Sequence, residues 1–365
     1  MKFSAERETL LAALQAVIGV VERRQTMPIL ANVLLSVKEG RLSVTATDLE
    51  VELVASAEVS AQADGEVTIP GRKLLDICRS LPDHVQIVLA VEGERATIRG
   101  GKSRFTLSTL PAAEFPVIEE ISVQQTLQVS QGELRRLLDK THFSMAQQDV
   151  RYYLNGMLLE TDGKVLRTVA TDGHRLALCE AKLTTEARGN AQVIVPRKGV
   201  LELQRILGNE GDVEVVLGGN HIRLTIGAIR FTSKLIDGRF PEYSRVIPVN
   251  PPRVIQTDRS GLRAALQRTA ILSNEKYRGI RLALRENLLT IQAHNPEQEE
   301  AEEEVEVSYT GEEMEVGFNV NYLLDALGAI DSDEVEVGLM DSNSSCLIYS
   351  PGVLAARYVV MPMRL

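Results

Sequence analysis

The sequence predicts an α+β fold made of three tandem repeats, each an antiparallel sheet with two helices. Three observations predict this fold: one amphipathic segment occurs three times along the chain, a second one does the same, and short alternating strands lie between them. Self-similarity at a fixed period is typical of repeated structural units. The mixture of helices and hairpin-like strands within each unit indicates an α+β arrangement.

The first helix of each repeat is predicted by apolar residues at helical spacing. Leu10, Leu134 and Leu262 begin equivalent faces and are separated by 124 and 128 residues. The three faces are Leu10, Leu14 and Val17, then Leu134, Leu138 and Thr141, then Leu262, Leu266 and Thr269. Residues three or four positions apart share one side of a helix. The segment Ser130-Gln131-Gly132-Glu133 has the pattern of a capping box and predicts a helix start at Ser130.

The second helix also recurs, as I-P-G-R-K-L-L-D-I-C-R-S-L at 69–81, V-P-R-K-G-V-L-E-L-Q-R-I-L at 195–207 and F-N-V-N-Y-L-L-D-A-L-G-A-I at 318–330. In the first copy the apolar residues at helical spacing are Leu74, Leu75, Ile77, Cys78 and Leu81. The acidic positions coincide as Asp76, Glu202 and Asp325. Three copies of one helix at one period support three equivalent units.

Short alternating strands and turn residues fill the rest of each repeat. Asp48, Asp172 and Asn295 occupy equivalent turns, and each repeat ends in a similar strand, R-F-T-L at 104–107, R-F-T-S at 230–233 and R-Y-V-V at 357–360. Linkers are predicted near 117–126 and at the prolines of 247–252. We therefore expect domains at 1–120, 126–247 and 253–365.

The composition excludes several classes of protein. The chain has 365 residues, is 44% hydrophobic and has a net charge of -10, which argues against indiscriminate binding of nucleic acid or membrane by the whole surface. No apolar stretch approaches the length of a membrane span, and the N-terminus lacks the apolar core of a signal peptide. Cys78, Cys179 and Cys346 are odd in number and far apart, which is typical of a reducing, cytoplasmic environment.

One segment resembles a catalytic site. T-V-A-T-D-G-H-R-L-A-L at 168–178 brings Asp172, His174 and Arg175 together, and such groups serve general acid–base catalysis. The first repeat has the same strand and turn as T-A-T-D-L-E-V-E-L at 45–53, without histidine or arginine. Thr-Asp pairs at strand ends form turns by bonding the nearby backbone. We therefore predict that the protein is not an enzyme, with a hydrolase using Asp172 and His174 as the disfavoured alternative.

Two other segments resemble ligand sites. A-T-I-R-G-G-K-S at 96–103 has Ala96 where a phosphate loop needs its first glycine, and it leads into a strand rather than a helix. The acidic run E-Q-E-E-A-E-E-E at 297–304 lacks the ligand spacing and the glycine of a calcium loop. The five histidines are scattered. The sequence thus predicts no cofactor and no metal site, and the acidic run is expected to face solvent or a partner.

Longer motifs carry a family resemblance. They are Q-D-V-R-Y-Y-L-N-G-M at 148–157, A-T-D-G-H-R-L-A at 170–177, F-T-S-K-L-I-D-G-R-F-P at 231–241, N-P-E-Q-E-E-A-E-E at 295–303 and the terminal Y-V-V-M-P-M-R-L. Together they resemble the bacterial DNA polymerase III β subunit family, the sliding clamps, over the whole chain. The resemblance implies a head-to-tail homodimeric ring of six domains around double-stranded DNA. It further implies partners that include the polymerase III α subunit, the clamp loader, other polymerases and repair proteins.

A DNA-facing surface is expected on the polar sides of the helices. The basic residues assigned to these sides are Arg7, Arg72, Arg79, Arg135, Arg136, Lys140, Lys198, Arg205, Arg263 and Arg268. Such residues would hold phosphates without reading bases, as sliding requires. Taken alone, such charges are more often solvated helix faces, and the threefold repeat and the resemblance favour the DNA interpretation. The resemblance adds contacts from loops and helix ends at Arg24, Gln148, Tyr152, Tyr153 and Arg197. An adaptor with no DNA role is the alternative from another class.

The resemblance also implies a cleft that binds short linear motifs of partner proteins. The second repeat is expected to supply Leu154, Thr171, Gly173, His174, Arg175, Leu176, Pro241, Arg245 and Val246. The C-terminal tail is expected to supply Val359, Met361, Pro362, Met363 and Arg364. Apolar walls with methionines suit several ligands. Asn343 stands at a rim position where an apolar residue is expected.

Opposite charges at the two ends of the chain predict the dimer contact. The first repeat has a basic stretch with Lys73, Arg95, Arg99, Lys102 and Arg104, whereas the third has acidic Glu297, Glu299, Glu300, Glu302, Glu303 and Glu304. A free basic end and a free acidic end indicate a heterologous contact, which closes into a ring if the rotation fits. By resemblance, its apolar part is assigned to Phe105 and Leu107 on one side and to Ile271 and Leu272 on the other.

Overall fold

A computed structural model describes residues 1–21, 27–118 and 120–364. Each repeat contains two α-helices: α1 (Arg7–Val17), α2 (Gly71–Ser80), α3 (Gln131–Asp139), α4 (Arg197–Ile206), α5 (Arg259–Thr269) and α6 (Val320–Ala329). None of the helices in these ranges has the length and hydropathy that crossing a lipid bilayer needs.

Strands make up most of the rest of each repeat. The first repeat has β1 (Lys2–Glu6), β2 (Asn32–Lys38), β3 (Arg41–Thr47), β4 (Val51–Glu58), β5 (Ser60–Ala63), β6 (Gly65–Pro70), β7 (Gln86–Glu92), β8 (Arg95–Gly100) and β9 (Ser103–Ser108). The second has β10 (Val123–Ser130), β11 (Gly156–Thr161), β12 (Val165–Thr171), β13 (Arg175–Lys182), β14 (Ala191–Pro196), β15 (Asp212–Gly218), β16 (His221–Ile226) and β17 (Ile229–Lys234). The third has β18 (Arg253–Asp258), β19 (Gly279–Arg285), β20 (Leu288–His294), β21 (Glu300–Glu306), β22 (Met314–Asn319), β23 (Glu334–Leu339), β24 (Cys346–Ser350) and β25 (Val353–Val360).

The predicted helix faces are buried. All nine residues of the three first-helix faces are at most 5% exposed. Thr141 and Thr269 replace the valine of the first repeat, and each satisfies its hydroxyl by donating to the carbonyl four residues earlier, Leu137 and Ala265. The Ser130 Oγ accepts a hydrogen bond from the Glu133 N–H at 3.3 Å, so this half of the predicted capping box is confirmed.

The strands form four antiparallel sheets that do not follow the repeat boundaries. Their orders are β5-β1-β7-β8-β9, then β10-β15-β16-β17-β4-β3-β2-β6, then β14-β11-β12-β13-β25-β24-β23-β18, then β21-β20-β19-β22. Each eight-stranded sheet joins strands of two consecutive repeats, through β17 against β4 in one and β25 against β13 in the other. Strand pairing is therefore the connection between neighbouring repeats.

The contacts divide the chain into two compact units. The first contains residues 1–135, 184–188 and 198–235, and the second contains 136–183, 189–197 and 236–365. The first unit holds the five-stranded sheet and one eight-stranded sheet, and the second holds the other two sheets. The middle repeat contributes to both units because its two groups of strands belong to different sheets.

Local details support several of the sequence predictions. The glycine-rich segment is a hairpin between β8 and β9 that turns at Gly101 (φ +58°), so it opens no helix. Cys78, Cys179 and Cys346 are buried and free. The predicted linker at 117–126 is too long, however, because strand β10 already begins at Val123.

Candidate functional site

The turn that carries Asp172 has a structural explanation. The Asp172 Oδ1 accepts from the backbone N–H groups of His174 and Arg175 at 2.9 and 3.1 Å, and its Oδ2 accepts from the Arg175 Nε at 3.1 Å. The Thr171 hydroxyl accepts from the Gly173 N–H and donates to the Arg175 carbonyl. The carboxylate is therefore occupied by three donors and serves the turn rather than a proton transfer.

The first repeat forms the same turn. The Asp48 Oδ1 accepts from the N–H groups of Glu50 and Val51 at 2.9 and 2.7 Å. The Thr47 hydroxyl accepts from the Leu49 N–H and donates to the Val51 carbonyl. The interpretation of the Thr-Asp pair as a turn former is confirmed in both repeats.

A cavity of about 190 Å³ opens beside the second turn. Nine of its lining residues are among those predicted for the cleft, namely Leu154, Thr171, Gly173, Arg175, Leu176, Pro241, Val246, Val359 and Met361. They come from four places in the sequence: the 3₁₀ turn before β11, the β12–β13 turn, the loop at 241–246 and the end of β25. Its walls are mainly aliphatic, so it can bury apolar side chains of a ligand.

The remaining predicted cleft residues are not among those that line this cavity. His174 stacks on Tyr322 at a ring-centroid distance of 6.5 Å. Arg245 is exposed and paired with Glu242. The tail folds onto β22, where the Met363 N–H donates to the Gly317 carbonyl at 2.9 Å. Pro362 and Arg364 flank Met363 in this tail. Asn343 is exposed in a turn closed by Asp341.

Three lining residues were missed by the sequence analysis: Arg151, Glu242 and Tyr243. Arg151 is held by Asp149, and the side-chain hydrogen bond from Arg151 lowers the pKa of Asp149 to about 2. Arg151 lies inside the Q-D-V-R-Y-Y-L-N-G-M motif, and Glu242 and Tyr243 are the two residues that follow the motif ending at Pro241. These neighbouring motifs are the signal that could have indicated them.

Arg175 is the most enclosed cation of the cavity, with its side chain 14% exposed. It binds Asp172, contacts Asp325 of α6 at 2.5 Å and donates to the Phe143 carbonyl at 2.8 Å. Its guanidinium also lies 4.5 Å from the Tyr322 ring centroid, within cation–π distance. The cation is thus neutralised within the protein, so the cavity offers an apolar surface with fixed polar edges.

The cations predicted for a DNA-facing surface fall into two groups. Some are bound within the chain: Arg7 donates to the Cys78 carbonyl, Lys140 to the Ala329 carbonyl and Arg205 to the Gln15 carbonyl. Each of these acceptors lies near the C-terminal end of a helix, where unpaired carbonyls favour cationic donors. The expectation that Arg7 and Lys140 occupy unused polar faces is therefore wrong, since their side chains are 14% and 13% exposed.

Arg72 and Lys198 also have partners within the chain. Arg72 donates to the Val21 carbonyl at 2.5 Å, and Lys198 forms an ion pair with Asp48. Arg135 donates to the Leu207 carbonyl, Arg136 to the Glu180 carbonyl, and Arg268 binds Glu303. By contrast, Arg79, Gln148, Tyr152 and Arg263 are exposed, while Tyr153 and Arg197 are half-buried. Arg24 lies outside the described residues.

The predicted dimer surfaces lie on two sheet edges. Strand β9, with Arg104, Phe105 and Leu107, is the edge of the five-stranded sheet, and β21, with Glu300 and Glu303, is the edge of the four-stranded sheet. Arg95, Lys102 and Glu297 are exposed near these strands in the sequence, and Lys73 is exposed on α2. Ile271 is 75% exposed and Leu272 is half-buried.

The acidic run forms most of β21 and alternates between exposed and half-buried residues. In the described ranges, the one group of acidic and histidine side chains close enough to share an ion is Glu6, Glu8 and His84, which lies away from this run in the sequence.

Family models account for nearly the whole chain. The N-terminal, central and C-terminal domain models of the DNA polymerase III beta subunit match residues 1–119, 128–242 and 244–364. The chain belongs to the DNA polymerase III beta subunit family. It is therefore a sliding clamp, a processivity factor of replication and not an enzyme, and its partners are DNA, the polymerase and the clamp loader.

Relatives agree over their full lengths. The chain is 57% identical to the beta sliding clamp of Pseudomonas aeruginosa and 53% identical to that of Escherichia coli K12, with both proteins of each pair fully covered. A crystal structure of the P. aeruginosa DNA polymerase III subunit beta superposes with a TM-score of 0.98 at 56% identity, and the Caulobacter crescentus pol III beta with 0.95 at 40%, again over the full chains. The P. aeruginosa sliding clamp has also been crystallised with griselimycin, with a TM-score of 0.97 and 57% identity over the full chains.

Proposed function

We propose that two copies of the chain close head to tail into a ring around double-stranded DNA, and that the cavity beside Gly173 receives short motifs of partner proteins. The proposed domains are 1–120, 126–247 and 253–365, and the family models at 1–119, 128–242 and 244–364 support them. The proposed location is the cytoplasm, in line with a replication protein with free, buried cysteines.

The observation that carries the ring is a pattern of strand pairing. The last strand of the second repeat, β17, pairs with β4 of the first, and the last strand of the third, β25, pairs with β13 of the second. Within the described residues, one counterpart of each kind has no such partner and lies at the edge of its sheet. These are β9, the last strand of the first repeat, and β21, the third repeat's counterpart of β4 and β13. A second copy can complete this pattern by placing its β21 against β9.

The pattern also predicts the register of the new pair. Phe231 faces Leu53 and Tyr358 faces Ala177 in the two existing pairs. Phe105 is the counterpart of Phe231 and Tyr358. Ala301 is the counterpart of Leu53 and Ala177, because each of these three residues is the second in its strand to pair across the turn with the preceding strand.

The expected register therefore places Phe105 opposite Ala301 of the partner subunit. Arg104 then faces the partner's Glu302, and Lys102 faces the partner's Glu304. Exposed ion pairs contribute about 0.2–1 kcal/mol each, so these pairs set register more than strength. The strength is assigned to Phe105, Leu107, Ile271 and Leu272, of which Ile271 offers a large apolar surface to solvent.

Two variants test this contact by sedimentation at low protein concentration. Ile271→Ala with Leu272→Ala should give a folded monomer that still binds partner peptide. Arg104→Glu should weaken the dimer, and addition of Glu302→Arg should restore it, whereas addition of Glu303→Arg should not. A dimer unaffected by the alanine pair would show that the contact is wrongly placed.

The cavity is proposed as the partner site, with the fourteen residues assigned to it from the sequence and with Arg151, Glu242 and Tyr243 added. Removal of residues 361–365 takes away Met361 from the wall and should abolish binding of a polymerase III α-subunit peptide while leaving the dimer intact. Titration calorimetry measures the affinity, and unchanged affinity would refute the assignment.

The proposed DNA contacts are non-specific. Arg24, Arg72, Arg79, Gln148, Tyr152, Tyr153, Arg197, Lys198 and Arg205 are the assigned residues. Contacts to phosphates release counterions, so affinity should fall steeply as salt rises and should not depend on sequence. Binding that is insensitive to salt, or failure to stay on circular DNA after loading, would favour the adaptor alternative.

A further inference from the structure

A ladder of polar side chains crosses five neighbouring strands of the sheet that contributes to the partner cavity. It consists of Gln192 on β14, Glu160 on β11, Arg167 on β12, Glu180 on β13 and Arg357 on β25. These strands are consecutive in one eight-stranded sheet. Glu160 lies directly opposite both Gln192 and Arg167, and Arg167 lies directly opposite Glu180, so sheet register alone brings these members into contact.

Each step of the ladder is a direct contact between alternating charges or dipoles. Gln192 Nε2 and Arg167 Nη1 both donate to Glu160 at 2.5 Å. Arg167 Nε donates to the Glu180 Oε2 at 2.9 Å, and the Arg357 Nη2 lies 3.6 Å from the same oxygen. The two carboxylates and two guanidiniums balance in charge. A partly buried network of this kind restricts geometry more than it adds stability.

Both walls of the cavity are attached to this ladder. At one end, the Tyr243 hydroxyl donates to the Glu160 Oε1 at 2.7 Å, and the Tyr243 ring lines the cavity together with Pro241 and Val246 of the same loop. Burial and this hydrogen bond raise the pKa of Tyr243 to about 12, so its hydroxyl remains a donor. At the other end, Arg357 belongs to β25, which carries Val359 two residues later into the opposite wall.

We propose that the ladder from Glu160 to Arg357 positions the two walls of the cavity relative to each other and so sets its affinity for partner peptides. This inference rests on the proposed role of the cavity. Glu160, Arg167 and Glu180 do not line the cavity and act only through Tyr243 and β25. They are positioning residues, and a ligand would meet a wall already held in place, which reduces the ordering cost of binding.

Tyr243→Phe tests one end of the ladder because it removes only the hydroxyl. The chain offers a matched control in Tyr349, which packs on the same apolar cluster as Tyr243. Burial and a hydrogen bond to Glu336 raise the pKa of Tyr349 to about 12 as well. Tyr349 is not among the described residues that line the cavity. Tyr349→Phe therefore removes an equivalent hydrogen bond without touching a wall.

The affinity of a fluorescein-labelled peptide from the clamp-binding segment of the polymerase III α subunit is measured by anisotropy, beside the melting temperature. Tyr243→Phe should weaken binding about fivefold or more, a typical coupling between two linked sites. The two variants should lower the melting temperature by similar amounts, but Tyr349→Phe should leave the peptide affinity unchanged. Equal affinities of the two variants would overturn the proposal, because a merely structural hydrogen bond would affect both in the same way.

Arg357→Met tests the other end, since it keeps the aliphatic stem and removes the guanidinium. Arg357→Met should also weaken peptide binding. The double variant with Tyr243→Phe should lose less affinity than the product of the two single fold-losses, as expected for members of one network. Fold-losses in affinity that simply multiply in the double variant would overturn the link between the walls, and so would an Arg357→Met variant with normal affinity. If Arg357→Met does not fold, Arg357→Lys is used in its place, because it keeps the positive charge and removes the guanidinium.

The controls separate this inference from the proposed function. Wild-type protein that binds the peptide, together with loss of binding on removal of 361–365, supports the cavity as the partner site whatever the ladder variants do. Binding that survives this truncation would reject the cavity itself.

Discussion

The turns at Thr47–Val51 and Thr171–Arg175 have the same hydrogen bonds and different uses. Both need a backbone with positive φ at their third residue, +79° at Leu49 and +87° at Gly173. At Gly173, a Cβ atom would lie 2.9 Å from the Arg151 guanidinium, whereas Leu49 is exposed. The comparison teaches that the turn is a common support and that its neighbours decide whether it borders a binding site.

The second carboxylate oxygen of each turn shows the same contrast. Asp48 is paired with Lys198, whereas Asp172 is paired with Arg175, which continues to Asp325 on α6. The next strand position differs too, because Glu52 in the first repeat corresponds to Leu176 in the second, each opposite the threonine of its turn. Leu176 lines the cavity, while Glu52 accepts a hydrogen bond from the Ile118 N–H.

Gly173→Leu should have the largest effect, because it gives the second turn the residue that the first turn has at this position. A leucine there costs about 1–2 kcal/mol of left-handed strain in the fold, and its side chain must displace the Arg151 guanidinium, which lines the cavity. We expect peptide affinity to fall by at least about tenfold, since 1.4 kcal/mol corresponds to that factor. Titration calorimetry measures the loss, and sedimentation should show that the dimer persists. Normal peptide affinity would show that this wall does not bind the ligand.

Arg175→Met is the next largest change. It removes the cation between Asp172 and Asp325 and leaves Asp172, a carboxylate with 18% exposure, without its Nε partner. Loss of one hydrogen-bond partner leaves this partly buried carboxylate less well satisfied, which costs about 1–3 kcal/mol. Urea denaturation measures the change. Lys198→Met is the matched variant at the first turn, and because it leaves the Asp48 carboxylate, which is 7% exposed, without its cation, we expect a loss of similar size.

Glu52→Gln tests, through the pH dependence of stability, the charge that the first turn has where the second turn has Leu176. Burial raises the pKa of Glu52, and this outweighs the opposing effects of the Ile118 N–H, Arg230 and Arg223. An acid with a raised folded-state pKa stabilises the fold fully only below its unfolded pKa, and that contribution is lost as pH rises through the folded pKa.

The glutamine keeps an acceptor for the Ile118 N–H and cannot ionise. It should therefore raise the melting temperature relative to wild type at neutral pH. The gain should shrink as the pH falls through the raised pKa of Glu52 and should be lost below the ordinary pKa of a glutamate. Thermal melts across that range measure it. A gain that does not vary with pH would mean that the charge of Glu52 is not responsible.

Leu49→Gly is the smallest expected effect. Glycine adopts positive φ without the Cβ strain of leucine, so the variant should gain up to about 1 kcal/mol in unfolding free energy. Leu49→Ala keeps the strain and serves as the control in chemical denaturation. Equal stability of the two variants would show that the first turn is not strained.

The parts of the fold that depend on local pattern were predictable. Helix faces such as that of Leu10 follow from spacing alone, and the Thr-Asp turns follow from short-range side-chain bonding. The joining of β4 with β17 was not predictable, because β-pairing between distant segments leaves no periodic signal in either strand. Most of the cavity residues were identified through the resemblance, since spacing says nothing of which loops meet.

The cations show a physical limit of sequence reading. Periodicity assigns Lys140 to the polar side of a helix, yet the side chain reaches the Ala329 carbonyl at the end of another helix. A long flexible stem allows this, and a pattern of residue types records only where the Cα lies. Tyr243 was missed for a similar reason, because its partner Glu160 is 83 residues away.

The charge on the two free sheet edges has a consequence for aggregation. An unpaired edge strand is a template for indiscriminate pairing with other chains. Strand β21 has five glutamates among its seven residues, E-A-E-E-E-V-E, so two copies of it repel each other. The opposite edge carries Arg104, with Lys102 just before it, and repels its own kind in the same way. Each edge therefore selects the other, and a crowded solution of these chains should accumulate closed pairs in preference to open-ended sheets.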